Sequence, residues 1–475
     1  EMCIRDSMRK ETISDLTTEK TELKREIGAF GGVSIIAGIM IGSGIFYLGA
    51  YVLQRVGMNS GLALLCWIIG GVISLFGGLA YAEMGAAMPQ SGGRVVYLNE
   101  AYHPIVGFMN GFVDWLIGGP GSVAALALAL MGVFQPIFHL SDFGCKIAAV
   151  VLIFGITAYN MVGVKLASVV QNVSMIAKMV PIAIILLAAL FVGHVTPDLS
   201  FGSASVYAAE NNTNVFSMIA LAVVASLWAY EGWTNLNTVA EEMKNPRKNL
   251  PLALIIGIGG VTILYALFNF AIMKVLPHEE IASMIDAGDL YLGTAAAKKL
   301  LGSAGAVVVT VGMVLAMFGS MNGLILAQPR MYYAMAKEGH FFKSFTKLNK
   351  QKIPYVPVLV QAVISSALVL LRNLSELTDM VVLSNMLFNV LIVLAVPILR
   401  KKFPNIERPY KVWLYPVSII FTAIVFLALF VNSAIENPVL GSIGFTVPAL
   451  GAVVYLIFDR KLKKEAAENK EANDG

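Results

Sequence analysis

Charge is what this chain has least of. Only 13% of its 475 residues are Asp, Glu, Lys or Arg, against roughly 25% in a soluble protein. Such a chain cannot clothe a water-facing surface, and a single soluble core of this length is excluded because soluble chains of this size split into domains. Histidine and cysteine are also scarce. The five histidines, His103, His139, His194, His278 and His340, fall in loops or at the ends of apolar runs. No His/Asp/Glu cluster or nucleophile–base pair lies at membrane depth, so an enzyme, a metal site and a cofactor are not expected. The three cysteines, Cys3, Cys66 and Cys145, are scattered and make neither a disulfide framework nor a metal site. A net charge of +4 is modest and gives no reason to expect a nucleic-acid partner.

What the chain has in abundance is apolar sequence, 57% of all residues. A bilayer-spanning helix needs about 20 mainly apolar residues. Runs of that kind number about twelve, at about 28–56, 61–87, 105–134, 146–163, 168–193, 213–241, 251–275, 303–335, 356–372, 377–399, 415–433 and 441–458. The fold class expected is therefore all-α and integral to the membrane, with the lipid bilayer as solvent. One transmembrane domain fills 27–459, between polar tails at 1–26 and 460–475. A short extramembrane helix is expected over 289–300. No cleavable signal peptide is visible, and Met8 is the expected native start, with residues 1–7 extraneous.

Placing both termini in the cytoplasm gives that side Arg9, Lys10, Arg94, Lys244, Arg247, Lys248, Arg330, Lys337, Arg400, Lys401, Lys402 and the cluster from Arg460. The opposite side keeps Arg55, Lys146, Lys274, Lys298, Lys299 and Arg372. This is the bias that the positive-inside rule requires. The expected location is the plasma (inner) membrane.

Two spans do not read as continuous helix. Gly42-Ser43-Gly44 interrupts the first near its middle, where glycine costs about 1 kcal/mol against alanine. Taken alone, this stretch fits either close helix packing through small residues or a broken helix whose freed N–H groups face a polar ligand. The sixth span favours the second reading, because Glu231, Gly232 and Asn235 lie well inside its apolar run and intramembrane ionisable residues default to function. The breaks are five spans apart, so the second set of five starts from the opposite side. Inverted repeats with discontinuous helices at matching places are how secondary transporters build a midplane site. A channel would instead show a repeated filter or pore segment.

These residues resemble the amino acid–polyamine–organocation superfamily, in its bacterial L-type amino acid transporter branch. The likeness runs from about 27 to 458. It is carried by Gly42-Ser43-Gly44-Ile45-Phe46, by Pro89-Gln90-Ser91-Gly92-Gly93, and by Trp228-Ala229-Tyr230-Glu231-Gly232-Trp233 running into Glu241-Glu242-Met243-Lys244-Asn245-Pro246. Further strings are Asn322-Gly323, Ala334-Met335-Ala336-Lys337-Glu338-Gly339 and Arg408-Pro409-Tyr410-Lys411. The resemblance implies the leucine-transporter fold, a 5+5 inverted repeat with helices one and six broken. It implies a sodium-independent amino-acid carrier, exchanging substrates or coupled to protons. The cargo expected is small neutral, hydroxyl-bearing or cationic amino acids. A channel or passive facilitator is the alternative, and counterflow separates the two.

The resemblance also assigns a substrate site, formed by Met40, Ile41, Gly42, Ser43 and Gly44 at the first break and by Trp228, Ala229, Glu231 and Gly232 at the sixth. Ser43 and Gly44 would bind the carboxylate at a half-helix N-terminus, and the Met40 and Trp228 carbonyls would take the ammonium. The Trp228 side chain would cap the substrate as a gate. Lys178 would reach the first break, in the place that sodium occupies in sodium-coupled relatives. Three readings of Glu231 stay open: pairing with a cationic side chain, accepting from a hydroxyl, or pairing within the protein. Asp114 fits either a proton path or a cytoplasmic vestibule, and Glu83 a structural contact. The chain departs from the pattern at Arg94-Val95-Val96-Tyr97, where relatives carry a tyrosine nearer Gly93. Cys145 does not match the cysteine that links eukaryotic relatives to a heavy subunit, so no disulfide-linked partner is expected.

A fixed ammonium standing where a sodium ion would sit predicts that replacing sodium by choline leaves uptake into proteoliposomes unchanged. A steep sodium dependence would show that Lys178 has another role.

Overall fold

The structure, a computed structural model, describes Thr17, Arg25 and residues 27–474 apart from 43, 91, 92, 212, 338 and 340. Among the described residues the secondary structure is helical, with one isolated parallel bridge between Ile27 and Met243. The first apolar run forms α1 (Ala29–Met40) and α2 (Gly44–Arg55), bent from each other by 51°. Next come α3 (Ser60–Ala87), the short α4 (Arg94–Ala101), α5 (Pro104–Val113) and α6 (Gly119–Phe138). Then follow α7 (Asp142–Val162), α8 (Val164–Val192), α9 (Gly202–Glu210) and α10 (Val215–Ala229). The chain continues through α11 (Pro246–Val275), α12 (His278–Asp286), α13 (Leu292–Leu301) and α14 (Ser303–Lys337). It ends with α15 (Tyr355–Leu371), α16 (Leu374–Lys402), α17 (Val417–Glu436) and α18 (Pro438–Asp474).

Among the described residues, ten helical stretches are long and apolar enough to cross a membrane, and α1 with α2 makes an eleventh if the bent pair is one span. The chain is thus a multi-pass membrane protein. The remaining apolar run became α15, only 17 residues long. One further difference from the sequence reading has a local cause. The third run is not a continuous α-helix, because a π-helical turn, Asp114–Gly118, joins α5 to α6. Pro120 stands just beyond it; proline donates no N–H and its ring crowds the carbonyl four residues earlier, which displaces the regular ladder. At the other end of the chain α18 continues as helix through to Asp474. The helix expected over 289–300 is α13, preceded by α12.

Side-chain caps fix where several helices start. Asn59 accepts from the Leu62 N–H at 2.8 Å, Ser141 from Gly144 at 3.1 Å, and Asn214 from Ser217 at 2.8 Å. Each satisfies a donor that a helix start leaves without a partner. The inner layer is α1, α2, α3, α10, α11 and α14. In it α3 lies along α11, α1 packs on α11 and α2 on α10, while α8 packs on α14 from outside. The approach of α3 to α11 depends on small residues: a Cβ at Gly71 would stand 2.2 Å from Thr262 Cγ2, closer than any packing allows. Outside this layer, α7, α8, α17 and α18 expose Val151, Phe191, Ile424 and Ile457, as lipid-facing surfaces do.

One end of the bundle is clamped by charge. Glu83, buried on α3, accepts from Arg400 Nε at 2.7 Å and Nη2 at 2.6 Å, and from the Val412 N–H at 2.8 Å. Arg408 stands 3.7 Å from the same carboxylate, and the Arg400 guanidinium lies 3.7 Å over the Tyr415 ring. The carboxylate therefore ties α3 to α16 and to the segment leading into α17. Breaking a buried pair leaves an uncompensated charge, at a cost of about 3–5 kcal/mol. Glu83→Ala is expected to lower the melting temperature of the detergent-solubilised protein sharply; an unchanged melting curve would exclude this role for Glu83.

Candidate functional site

A helix that stops inside a membrane leaves carbonyls that water cannot satisfy. At the end of α1 each has a named donor. The Ala37 carbonyl accepts from the Ile41 N–H at 2.9 Å. The Gly38 carbonyl accepts from Lys178 Nζ at 2.6 Å and Ser320 Oγ at 3.2 Å, and the Ile39 carbonyl from Ser320 Oγ at 3.0 Å. The Met40 carbonyl accepts from the Gly42 N–H at 2.8 Å and from the Tyr265 hydroxyl at 2.6 Å. The Ile41 carbonyl accepts from Lys178 Nζ at 2.5 Å. Lys178 is fully buried, and its hydrogen-bond partners are carbonyl oxygens. Past the break, α2 starts at Gly44 with the open N–H groups of any helix start.

The second break faces the first. After α10 the chain turns through Tyr230, Glu231 and Gly232 and resumes as a 3₁₀ segment, Trp233–Glu242. Gly232 has φ +123°, and a Cβ there would lie 2.4 Å from Ile39 Cγ2. Only glycine meets both demands. The Ala229 carbonyl is 3.0 Å from the Tyr265 hydroxyl, which also reaches the Met40 carbonyl. One phenol on α11 thereby bridges the two interrupted helices. Its ring sits edge-on to Trp67 and Tyr230, with centroids 5.3 and 5.2 Å away, and the Tyr230 hydroxyl donates to the Trp67 carbonyl at 2.8 Å.

Between the breaks lies a cavity of about 550 Å³, counting space open to solvent. Met40, Gly42, Gly44, Trp228, Ala229, Glu231 and Gly232 all line it. Ile41 does not; its carbonyl turns to Lys178. Ser43 lies outside the described residues. The opposite wall is polar. Arg94 on α4 forms a buried ion pair with Asp114 on the π-helical turn and donates to Asn385 Oδ1 at 3.2 Å. The Tyr332 hydroxyl donates to Asp114 as well, 3.2 Å from Oδ2. Glu231 stands in the field of Arg94 and Asp114, and its carboxylate makes no hydrogen bond among the described residues. Sequence reasoning placed Arg94 among the cytoplasmic loop charges and did not single out Tyr265, Ser320 or Asn385. The one available signal was Arg94 itself, a departure from the pattern directly after a glycine pair.

Two helix breaks thus converge on one polar cavity inside a bundle of membrane-spanning helices. The amino acid permease family model matches residues 27–458, and the chain belongs to that family of membrane transporters. It is similar to the serine/threonine exchanger SteT of Bacillus subtilis, 33% identical over 84% of this chain and 89% of SteT. It is also similar to the human cystine/glutamate transporter, 32% identical over 93% of this chain and 86% of that protein. The mouse b(0,+)-type amino acid transporter 1 is 31% identical over 89% of this chain and 87% of its own length. These relatives are transporters, and the chain is not an enzyme.

Tyr265→Phe removes the hydroxyl that both breaks share and leaves buried carbonyls short of a donor, worth about 1–3 kcal/mol. The variant is expected to fold with reduced thermal stability and weakened substrate binding. Wild-type values for both would show that the hydroxyl does not brace the breaks.

Proposed function

We propose that this protein is a sodium-independent amino-acid exchanger of the plasma membrane, working by alternating access. The observation that carries the reading is the convergence of two interrupted helices on one cavity, with the Lys178 ammonium bonded to the first break. A zwitterion suits such a place. Its carboxylate is drawn to the N–H groups at the start of α2, beginning at Gly44, with Ser43 beside them, as anions are at helix N-termini. Its ammonium is held by carbonyls at the ends of α1 and α10, of which Met40 and Trp228 are the assigned pair. The exchange mode is suggested by the name of the Bacillus relative, a serine/threonine exchanger.

The wider architecture we propose is twelve crossings: the ten long stretches, the α1–α2 pair, and the shorter α15. Both ends are cytoplasmic, supported by the positive charge of the segments assigned to that side. An inverted repeat of five and five, the leucine-transporter fold, is supported by reciprocal packing. Half-helix α1 lies on α11 as α10 lies on α3, and α6 packs with α15 as α14 packs with α7. The cargo we infer is small neutral and hydroxyl-bearing amino acids, with cationic ones admitted by Glu231. That carboxylate lines the cavity without a hydrogen bond of its own among the described residues, and in a partly desolvated site its attraction for a cation far exceeds that in water.

Counterflow tests the carrier reading, because only a carrier is accelerated by substrate on the far side; uptake indifferent to internal substrate would favour a passive facilitator. Competition tests Glu231. In Glu231→Gln, lysine and arginine are expected to lose about 1–3 kcal/mol as competitors, while alanine and serine keep their ranking. An unchanged order for all of them would remove Glu231 from selectivity.

A further inference from the structure

The first break is held by donors from two different helices, Lys178 on α8 and Ser320 on α14. Their aim depends on the register between those helices. Asn322, two positions beyond Ser320, is placed to set it. It is fully buried, and its amide is saturated, with two bonds given and two received. Nδ2 donates to Gln171 Oε1 at 2.9 Å and to the Ala167 carbonyl at 3.0 Å, both on α8. Oδ1 accepts from the Tyr159 hydroxyl at 2.6 Å and from Asn160 Nδ2 at 3.0 Å, both on α7. Two donors on one side fix which way the amide faces, so its NH2 group is turned to α8.

Gln171 carries the contact on to the break. It stands about two helical turns before Lys178 on α8, and a Cβ at Gly38 would lie 2.5 Å from its Nε2. A Cβ at Gly323 would lie 3.2 Å from the same atom and 2.9 Å from Ile39 Cγ1. Gln171 and α14 therefore rest directly on the last turn of α1, at the residues whose carbonyls accept from Lys178 and Ser320. The string Asn322-Gly323 is explained by this: the amide locks α14 to α8, and the missing side chain lets α14 reach α1. Neither Asn322 nor Gln171 is among the described residues that line the cavity between the breaks. We propose that Asn322 is a positioning residue for the substrate site. By fixing α14 against α8 it aims Ser320 and Lys178 at the end of α1, and so sets how tightly an amino acid binds without touching it. This rests on the reading of the protein as an amino-acid carrier. A brace for stability alone would act independently of Ser320, whereas a positioning residue acts through it.

The test is a double-mutant cycle on substrate affinity. Radiolabelled L-serine, with L-alanine and L-lysine in parallel, is titrated onto the purified full chain in detergent, and a melting curve is recorded for each variant. Asn322→Ala and Ser320→Ala are each expected to weaken binding about tenfold, as the loss of partners for buried polar groups does. The variant carrying both changes is expected to bind no more weakly than the poorer single one, because the two residues act in series. Gln171→Met keeps the length of the side chain and removes the acceptor for Asn322. It is expected to weaken binding in the same way while melting close to wild type, and it takes the place of Asn322→Ala in the cycle should that variant not fold. Losses that multiply in the double variant overturn the proposal and leave the carrier reading standing. Wild-type affinity in folded Asn322→Ala, in Gln171→Met or in Ser320→Ala overturns it as well, because the amide would then be a brace alone or Ser320 would not be its route. Failure of wild type to bind any of the three amino acids would overturn both readings.

Discussion

Lys178 donates to the carbonyls of Gly38 and Ile41 and so makes it tolerable for α1 to end where it does. In a low-dielectric interior an unpaired carbonyl costs several kcal/mol, and a helix end exposes several of them. Lys178 answers two, Ser320 serves Gly38 and Ile39, and Tyr265 answers Met40 while reaching across to Ala229. Three side chains from α8, α14 and α11 thus hold the interruption open. Everything downstream depends on that. The start of α2 at Gly44, the tight approach of Gly232 to Ile39, and the cavity between them exist because the backbone is allowed to leave its helix.

The cavity's chemistry is asymmetric for a related reason. Its backbone wall offers dipoles, whereas its far wall carries the Arg94–Asp114 pair with Asn385 and Tyr332 attached. That pair is neutral as a unit and well satisfied. Glu231, between the two walls, has neither a salt bridge nor a hydrogen bond among the described residues. An acid without an ion-pair partner among the described residues therefore borders the cavity directly. The carbonyl-donor network holds the shape of the breaks, while the side chains on the cavity wall set its charge and polarity.

Much of the fold was legible because a membrane span is a local property. Each apolar run had to find lipid or a neighbouring helix, whatever the rest of the chain did. The breaks were legible for the same reason: Gly42 and Gly44, and Glu231 with Gly232, are visibly wrong for the middle of a continuous helix. Glu83 was read as a structural contact from its place near a span end, and its partner Arg400 lies 317 positions away. The π-helical turn at Asp114 went unread, because Pro120 announces a disturbance without saying whether a kink, a break or a bulge will follow.

What the sequence determined by itself, then, was the solvent, the helical class, the points where helices cannot continue, and the intramembrane charges Lys178, Asp114 and Glu231. What only the tertiary structure decided was who meets whom. Tyr265 and Ser320 look like ordinary members of apolar helices, and nothing in their neighbours along the chain marks them as donors to a break in α1. Arg94 reads as a loop charge, yet α4 folds inward and delivers it to Asp114. Hydrogen bonds and ion pairs act over a few ångströms of space, whereas hydropathy and helix breaking act over a few residues of chain. The second kind of information is written in order along the sequence, and the first appears only once the helices have packed.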